Sequence, residues 1–271
     1  MKIKKWLLAS TFILSAVVMG ACGDDVEKAA SKAADDVETI LVGTGSTMLN
    51  INFYDEDGNL TGYDVELLRE IDKVIPEYEF EFEVMDFTNL LLGLETKKID
   101  MISHNMAKNA EREEKFLFNE QPYNAIPTLV TVNEKNADIQ SIDDLAGKKV
   151  GVVPTSNAAL FFEKYVKVNN LDAEIVYISD NNDVISQLKN GRIDATFSFP
   201  FTVAANNEKA DAQQKQVGDA LMFTDIHFLF NKGEEELAGK IDEAIQTLIE
   251  NGTVDKLSNE WFGQDVADNI K

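Results

Sequence analysis

The chain has 271 residues, with 48 Asp and Glu against 25 Lys and Arg, for a formal net charge of −23 and with one cysteine and two histidines. A nucleic-acid partner is excluded by the missing basic footprint. A single thiol leaves no disulfide or cysteine metal site, and His104 and His227 lie too far apart for metal-ligand spacing, so neither a metal nor a cofactor is expected.

The first residues are a leader. Lys2, Lys4 and Lys5 precede a run of 14 residues from Trp6 to Met19 that is largely apolar. A bilayer span needs about 20 such residues, so this is the length of a signal h-region. The run closes on Met19-Gly20-Ala21-Cys22, the pattern of a bacterial lipobox. It predicts a signal peptide over 1–21, cleavage before Cys22, and a lipid chain such as palmitate on the Cys22 sulfur. That places the mature protein on the extracytoplasmic face of the membrane, anchored and not spanning. An ordinary secretory signal with an incidental cysteine is the alternative. Cleavage removes three lysines and no carboxylate, moving the net charge from −23 to −26. Residues 22–38 are small and acidic and read as a flexible tether, with a short helix as the other reading.

The remainder alternates strand and helix, the pattern of an α/β protein. Thr39 to Gly43 reads as a strand, and Phe53-Tyr54 and Leu60-Thr61 as a hairpin around Asp55 to Asn59. Asp64 to Ile75 is an amphipathic helix ended by Pro76. Glu79 to Met85 alternates as a half-buried strand, Phe87 to Lys98 is helical, and Ile99 to Ser103 is a strand. A polar Ser-His-Asn loop is expected to follow, ending at Arg112. A second series begins with strand Val150 to Val153, then helix Ala158 to Val166 and strand Glu174 to Ile178. Helix Asp183 to Asn190 and strand Ile193 to Phe199 follow. After a polar loop come strand His227 to Asn231, helix Glu234 to Glu250, and a short helix with Trp261. An Ile-Asp pair opens a strand after a helix in both series, at Ile99-Asp100 and Ile193-Asp194, which suggests two similar lobes.

Five segments in order resemble one family, the extracellular amino-acid-binding proteins of ABC importers (solute-binding family 3). They are DGNLTGYDVELLREI (57–71), KKIDMISHNMAKNAEREEKFLFNEQPY (97–123), SIDDLAGKKVGVV (141–153), QLKNGRIDATFS (187–198) and ENGTVDKLSNEWFG (250–263). Within it the chain looks most like the L-cystine-binding lipoproteins of Gram-positive bacteria, through GTGSTMLNINFYDEDGNLTGYDVEL, the His-Asn before Arg112, TSNAAL, and the Phe-Pro after GRIDAT. The resemblance implies a two-lobed periplasmic-binding-protein (Venus flytrap) fold, with two three-layer α/β lobes joined by two hinge strands near Asn124 to Pro127 and Met222 to Asp225. Lobe 1 would be 39–125 plus 225–271, and lobe 2 would be 126–224. The implied partners are a cystine-like amino acid and an ABC permease in the membrane, with the binding protein a monomer.

Site residues carry over by position. On spacing alone Arg112 reads as a surface charge beside Glu111 and Glu113. At its place in the family it takes the ligand α-carboxylate, through a planar fork that lysine lacks. Asn105 and Ala107 complete that grip, His104 reaches the ligand side chain, and Phe87 forms an apolar wall. Thr155, Ser156 and Asn157 fall on a second-lobe loop at a helix N-terminus, where free N–H groups favour an anion; Ser156 can serve as N-cap as well. Three positions depart from the pattern. Phe199 stands where an aspartate usually pairs with the ligand ammonium, Gly45 replaces an acidic residue, and Met48 replaces a stacking aromatic. Asp194 lies too early in its strand for that task. The ammonium acceptor is therefore unassigned, with Ser198, Asn157 and loop carbonyls as candidates.

Gly43-Thr44-Gly45 lacks the third glycine of a dinucleotide loop, and Asp55 to Gly58 lacks the rest of a calcium loop. A dehydratase on the same fold would need a pocket carboxylic acid with a raised pKa, for which Glu111 is the nearest candidate. A receptor's sensor lobe would need a downstream span that the sequence lacks.

Overall fold

The computed structural model describes residues 37–263. The expected leader, Cys22 and most of the tether lie outside the described residues. Glu38, read as the end of the tether, is the first residue of a strand.

The chain runs β1 (Glu38–Thr44), β2 (Thr47–Met48), β3 (Asn52–Tyr54), β4 (Leu60–Thr61), α1 (Tyr63–Asp72), β5 (Tyr78–Val84), α2 (Phe87–Glu95) and β6 (Met101–Ala107). It continues through α3 (Ala110–Lys115), β7 (Phe116–Phe118), β8 (Asn124–Asn133), a 3-10 turn at Ile142–Leu145, β9 (Lys149–Val152), α4 (Asn157–Asn169) and β10 (Glu174–Tyr177). It ends with α5 (Asn181–Lys189), β11 (Ala195–Ser198), α6 (Pro200–Ala210), β12 (Gln214–Asn231), α7 (Glu235–Glu250) and α8 (Thr253–Phe262).

Strand order in the large sheet is β10-β9-β11-β8-β12-β6-β1-β5, with β7 also paired to β12, and β2-β3-β4 form a separate small sheet. β5 sits at one edge with Phe80 and Phe82 half-buried and Glu79, Glu81 and Glu83 exposed, so its sequence alternation is a one-sided edge strand guarded by carboxylates. α1 buries Leu67, Leu68 and Ile71 against the helices that end the chain, where α7 buries Leu237, Ile241, Ile245 and Leu248.

The Ile-Asp echo has one physical meaning in both places. Asp100 Oδ2 accepts from Leu41 N at 2.8 Å, and Asp194 Oδ2 accepts from Lys149 N at 2.7 Å. Each carboxylate splices its segment to a parallel neighbour. The isoleucine before it fills the space over a strand glycine. A Cβ on Gly43 would lie 2.2 Å from Ile99 Cδ1, and one on Gly151 would lie 2.5 Å from Ile193 Cδ1. Glycine is required at both by close approach.

β8 and β12 form an antiparallel ribbon in which Asn124 to Thr128 pair with Ile226 to Met222, and Val130 to Asn133 with Val217 to Gln214. Its register shifts between Val217 and Met222. Buried apolar residues cluster separately on either side. One pair of clusters draws on 40–126 and 226–257 together with Phe201, and the other on 130–217.

Two expectations need correction. β6 runs past Ser103 through His104 and Asn105 to Ala107, where a loop was expected. His104 and Asn105 are polar because the strand points them at buried partners and at the cleft. The segment read as a polar loop after Phe199 contains α6 and the first half of β12. The cue was Pro200 at the first helical position, where its missing N–H costs nothing. Alternating polar residues of β12, such as Lys215 and Asp219, hid its strand character.

Candidate functional site

A cleft opens between the two sets of core clusters, leaving about 1150 Å³ free of protein atoms, the solvent at its mouth included. Its wall takes Met48, Phe87, His104, Asn105, Ala107 and Arg112 from one side of the ribbon and Ser156, Asn157 and Phe199 from the other. Thr155 is the expected site residue that does not line it.

Arg112 sits on the short helix α3, whose N-cap Asn109 accepts from the Arg112 amide at 2.9 Å. The side chain is 4 % exposed, so the reading as a solvated surface charge is overturned. Glu111 and Lys115 pair with each other in solvent at 3.5 Å instead. Nη1 donates to Ala107 O at 2.9 Å, Nη2 donates to Thr155 O at 2.9 Å, and Nε has no partner. Burial lowers the guanidinium pKa to about 10, so it stays charged at neutral pH. No Asp or Glu is among the described residues that line the cleft. A buried cation with an unpaired fork hydrogen is a site for an anion.

His104 lies against Phe87, ring centroids 5.4 Å apart. Its Nδ1 accepts from Gly45 N at 3.0 Å and faces Asn52 Nδ2 at 2.7 Å. Burial first, and Arg112 second, lower its pKa to about 4, so the ring is neutral, with its proton on Nε2. The same packing accounts for Gly45, where a Cβ would lie 2.5 Å from His104 Cε1. An acidic side chain has no room there.

Asn105 adopts a left-handed φ of 47°. Its amide donates to Asp64 Oδ2 at 2.5 Å, while its own Oδ1 is buried without a partner and lines the cleft. Across the cleft, Thr155 has φ 62°, which turns its carbonyl toward Arg112, and Ser156 caps α4 by accepting from Ala159 N at 3.1 Å. Asn157 spends its side chain on the opposite wall, accepting from Asn109 Nδ2 at 2.8 Å. Phe199 stacks on Phe201 at 5.8 Å, and Phe201 packs on Phe262 at 4.1 Å. Lys209 reaches Asn50 at 3.4 Å and lies 4.9 Å from the Phe53 ring centroid. These contacts join the two sides of the cleft.

Asp194, placed too early in its strand for the ammonium, accepts from Lys149 N and is not among the residues that line the cleft. Thr202, Asn206 and Gln214 do line it and were missed, because they lie in the stretch read as loop. The polar positions one turn apart on α6 were the available signal.

The model of "Bacterial extracellular solute-binding proteins, family 3" matches residues 40–264. The chain is 46% identical over 262 residues to the L-cystine-binding protein TcyJ of Bacillus subtilis (strain 168), covering 96% of this chain and 95% of that one. It is 44% identical over 268 residues to the L-cystine-binding protein TcyK of the same organism, covering 98% of each. A solved structure named "Putative L-Cystine ABC transporter from Listeria monocytogenes" superposes with TM-score 0.81 at 46% identity, covering 85% of this chain and 99% of that one.

Proposed function

Because the chain belongs to the bacterial extracellular solute-binding proteins, family 3, a family with a two-lobed α/β fold, we propose that it captures L-cystine and delivers it to an amino-acid ABC importer. It is a binding protein and not an enzyme, as its relatives are. The observation that carries the reading is the buried, solitary Arg112 cation with its Nε unpaired, in a cleft without carboxylates, on a chain close to half identical to two L-cystine-binding proteins.

In this reading lobe 1 is 39–125 plus 225–271, lobe 2 is 126–224, and the β8–β12 ribbon is the hinge. The separation of the apolar clusters supports that division. Arg112 takes the ligand α-carboxylate through Nε and the second hydrogen of Nη2. Asn105 Oδ1 accepts from the ammonium, the role left open by Phe199. His104 donates from Nε2, Phe87, Met48 and Phe199 shape the apolar wall, and Ala107 and Thr155 orient the arginine through their carbonyls. Ser156 and Asn157 present the α4 terminus and latch the lobes. Ligand that contacts both lobes favours the closed state.

The leader 1–21 is removed, and Cys22 carries the lipid that holds a monomer, through a tether ending before Glu38, on the outer face of the membrane beside its permease. Tethering raises the local concentration at the permease. Titration calorimetry of the mature chain against L-cystine and the common amino acids tests the reading. Saturable binding of L-cystine in preference to the others is expected, and a preference for any other amino acid rejects it.

A further inference from the structure

One patch of the cleft wall is unexplained by a single amino-acid head. Gln214, at the start of β12, is 4 % exposed, and its Nε2 has no hydrogen-bond partner. Its backbone is pinned, because Gln214 N donates to Asn207 Oδ1 and Asn207 Nδ2 donates to Gln214 O, both at 2.8 Å. Its side-chain oxygen faces Asn206 Nδ2 at 3.4 Å, leaving the NH2 group as the open end. One turn before Asn206 on α6, Thr202 Oγ1 is likewise buried and unpaired. Thr202, Asn206 and Gln214 all line the cleft. Burying a donor without an acceptor is unfavourable, and here one amide and one hydroxyl, both uncharged, lack partners in the cleft wall.

These groups sit on elements other than those carrying Arg112 and Asn105, whose Nε and Oδ1 are the first unpaired set in the cleft. The cleft thus presents two sets of unsatisfied polar atoms, and its wall between the lobes also carries the apolar Phe197, Phe199 and Ile226. We propose that Thr202, Asn206 and Gln214 form a distal subsite for the second amino-acid head of a two-headed ligand, with Gln214 Nε2 donating to its carboxylate and Thr202 Oγ1 accepting from its ammonium. The proposal rests on the L-cystine reading and adds where the second head is held. It assigns selectivity for two-headed over one-headed ligands to lobe 2.

Calorimetry with L-cystine and with S-methyl-L-cysteine, which keeps one head and the sulfur, tests it on the wild type, Gln214→Glu and Thr202→Val. Gln214→Glu keeps an oxygen for Asn206 and turns the open donor into an anion that repels a carboxylate. Thr202→Val removes a hydroxyl that has no protein partner. Expected are a loss of cystine affinity of about tenfold or more for Gln214→Glu and about threefold to tenfold for Thr202→Val, with S-methyl-L-cysteine within about twofold in both. Equal weakening of both ligands, or unchanged cystine binding, overturns the subsite while leaving the cystine reading in place. A wild type that binds no cystine overturns both. Should Gln214→Glu fail to fold, by ligand-free melting, Thr202→Val decides.

Discussion

Tyr123 donates its hydroxyl to Asp64 Oδ2 at 3.0 Å, inside the core and directly behind the cleft. The same oxygen accepts from the Asn105 amide at 2.5 Å, so a buried carboxyl holds the cleft residue in its left-handed turn. Burial raises the Asp64 pKa to about 7, with the two hydrogen bonds opposing it, and Tyr123 is pushed up by burial and by Asp64.

The sign for stability follows from where protons bind. Between pH 4 and 7 the folded protein holds a proton on Asp64 that the unfolded chain releases. This carboxyl therefore lowers stability as pH rises through that window, by about 1.4 kcal/mol per unit. His104 and His227, both lowered to about 4, act oppositely and cost stability as pH falls from about 6.5 to 4. Asp64→Asn keeps an acceptor for both donors and does not titrate. Urea unfolding at pH 4.5, 6 and 8 should show the variant gaining on the wild type at each step up to about pH 7. A constant difference across the series would rule out a neutral Asp64.

Arg112→Lys keeps the charge and loses the fork. Removing one side of a buried charge-assisted contact costs about 2–5 kcal/mol, so ligand affinity should fall by about 30-fold or more. Circular dichroism should remain that of the folded protein. Retention of wild-type affinity by calorimetry would show that the carboxylate binds elsewhere.

Asn109→Ala removes the donor to Asn157 across the cleft, and also the cap of α3. Asn157→Ala removes the same cross-cleft bond, together with the longer one from Asn157 Nδ2 to Lys108 O at 3.4 Å, without touching the cap. One such bond is worth about 0.5–1.5 kcal/mol. Asn157→Ala should therefore raise the ligand dissociation rate about twofold to tenfold in stopped flow, leaving the association rate within about twofold.

Gly45→Ala places a methyl against the His104 ring, whose Nδ1 is already held by Gly45 and Asn52. Overpacking of this kind costs about 1–3 kcal/mol. A lower melting temperature together with weaker binding is expected. Binding unchanged by calorimetry would mean that His104 can move without consequence for the ligand.

Much of the fold was legible because strong periodicities coincide with buried faces. The α1 stripe, the alternation of β5, and the α7 stripe all lie where the pattern places them. The repeated Ile-Asp pair was readable as a signal, though its task of splicing parallel neighbours was not. β6 was cut short at Ser103 because a strand that ends in a cleft exchanges apolar residues for polar ones, here His104 and Asn105. The same exchange concealed α6 and β12, whose cleft-facing Thr202, Asn206 and Gln214 gave the segment the composition of a loop. Arg112 was found by its position in a motif and not by any local pattern. Six residues of α3 are too few for a periodicity, and three of Arg112's neighbours, Glu111, Glu113 and Glu114, disguise it as one more surface charge.

The glycine–isoleucine packing at Gly43 with Ile99, and again at Gly151 with Ile193, bears on how such a molecule bends. In each half a side chain is wedged over a bare backbone, with a carboxylate stitching parallel neighbours together. Each half is stiffened from within, by parts that the other half does not supply. Between the halves run the paired crossings of β8 and β12, Asn124 to Thr128 against Ile226 to Met222. If the molecule closes as proposed, the bending falls on those crossings, and each half keeps its own shape through the motion.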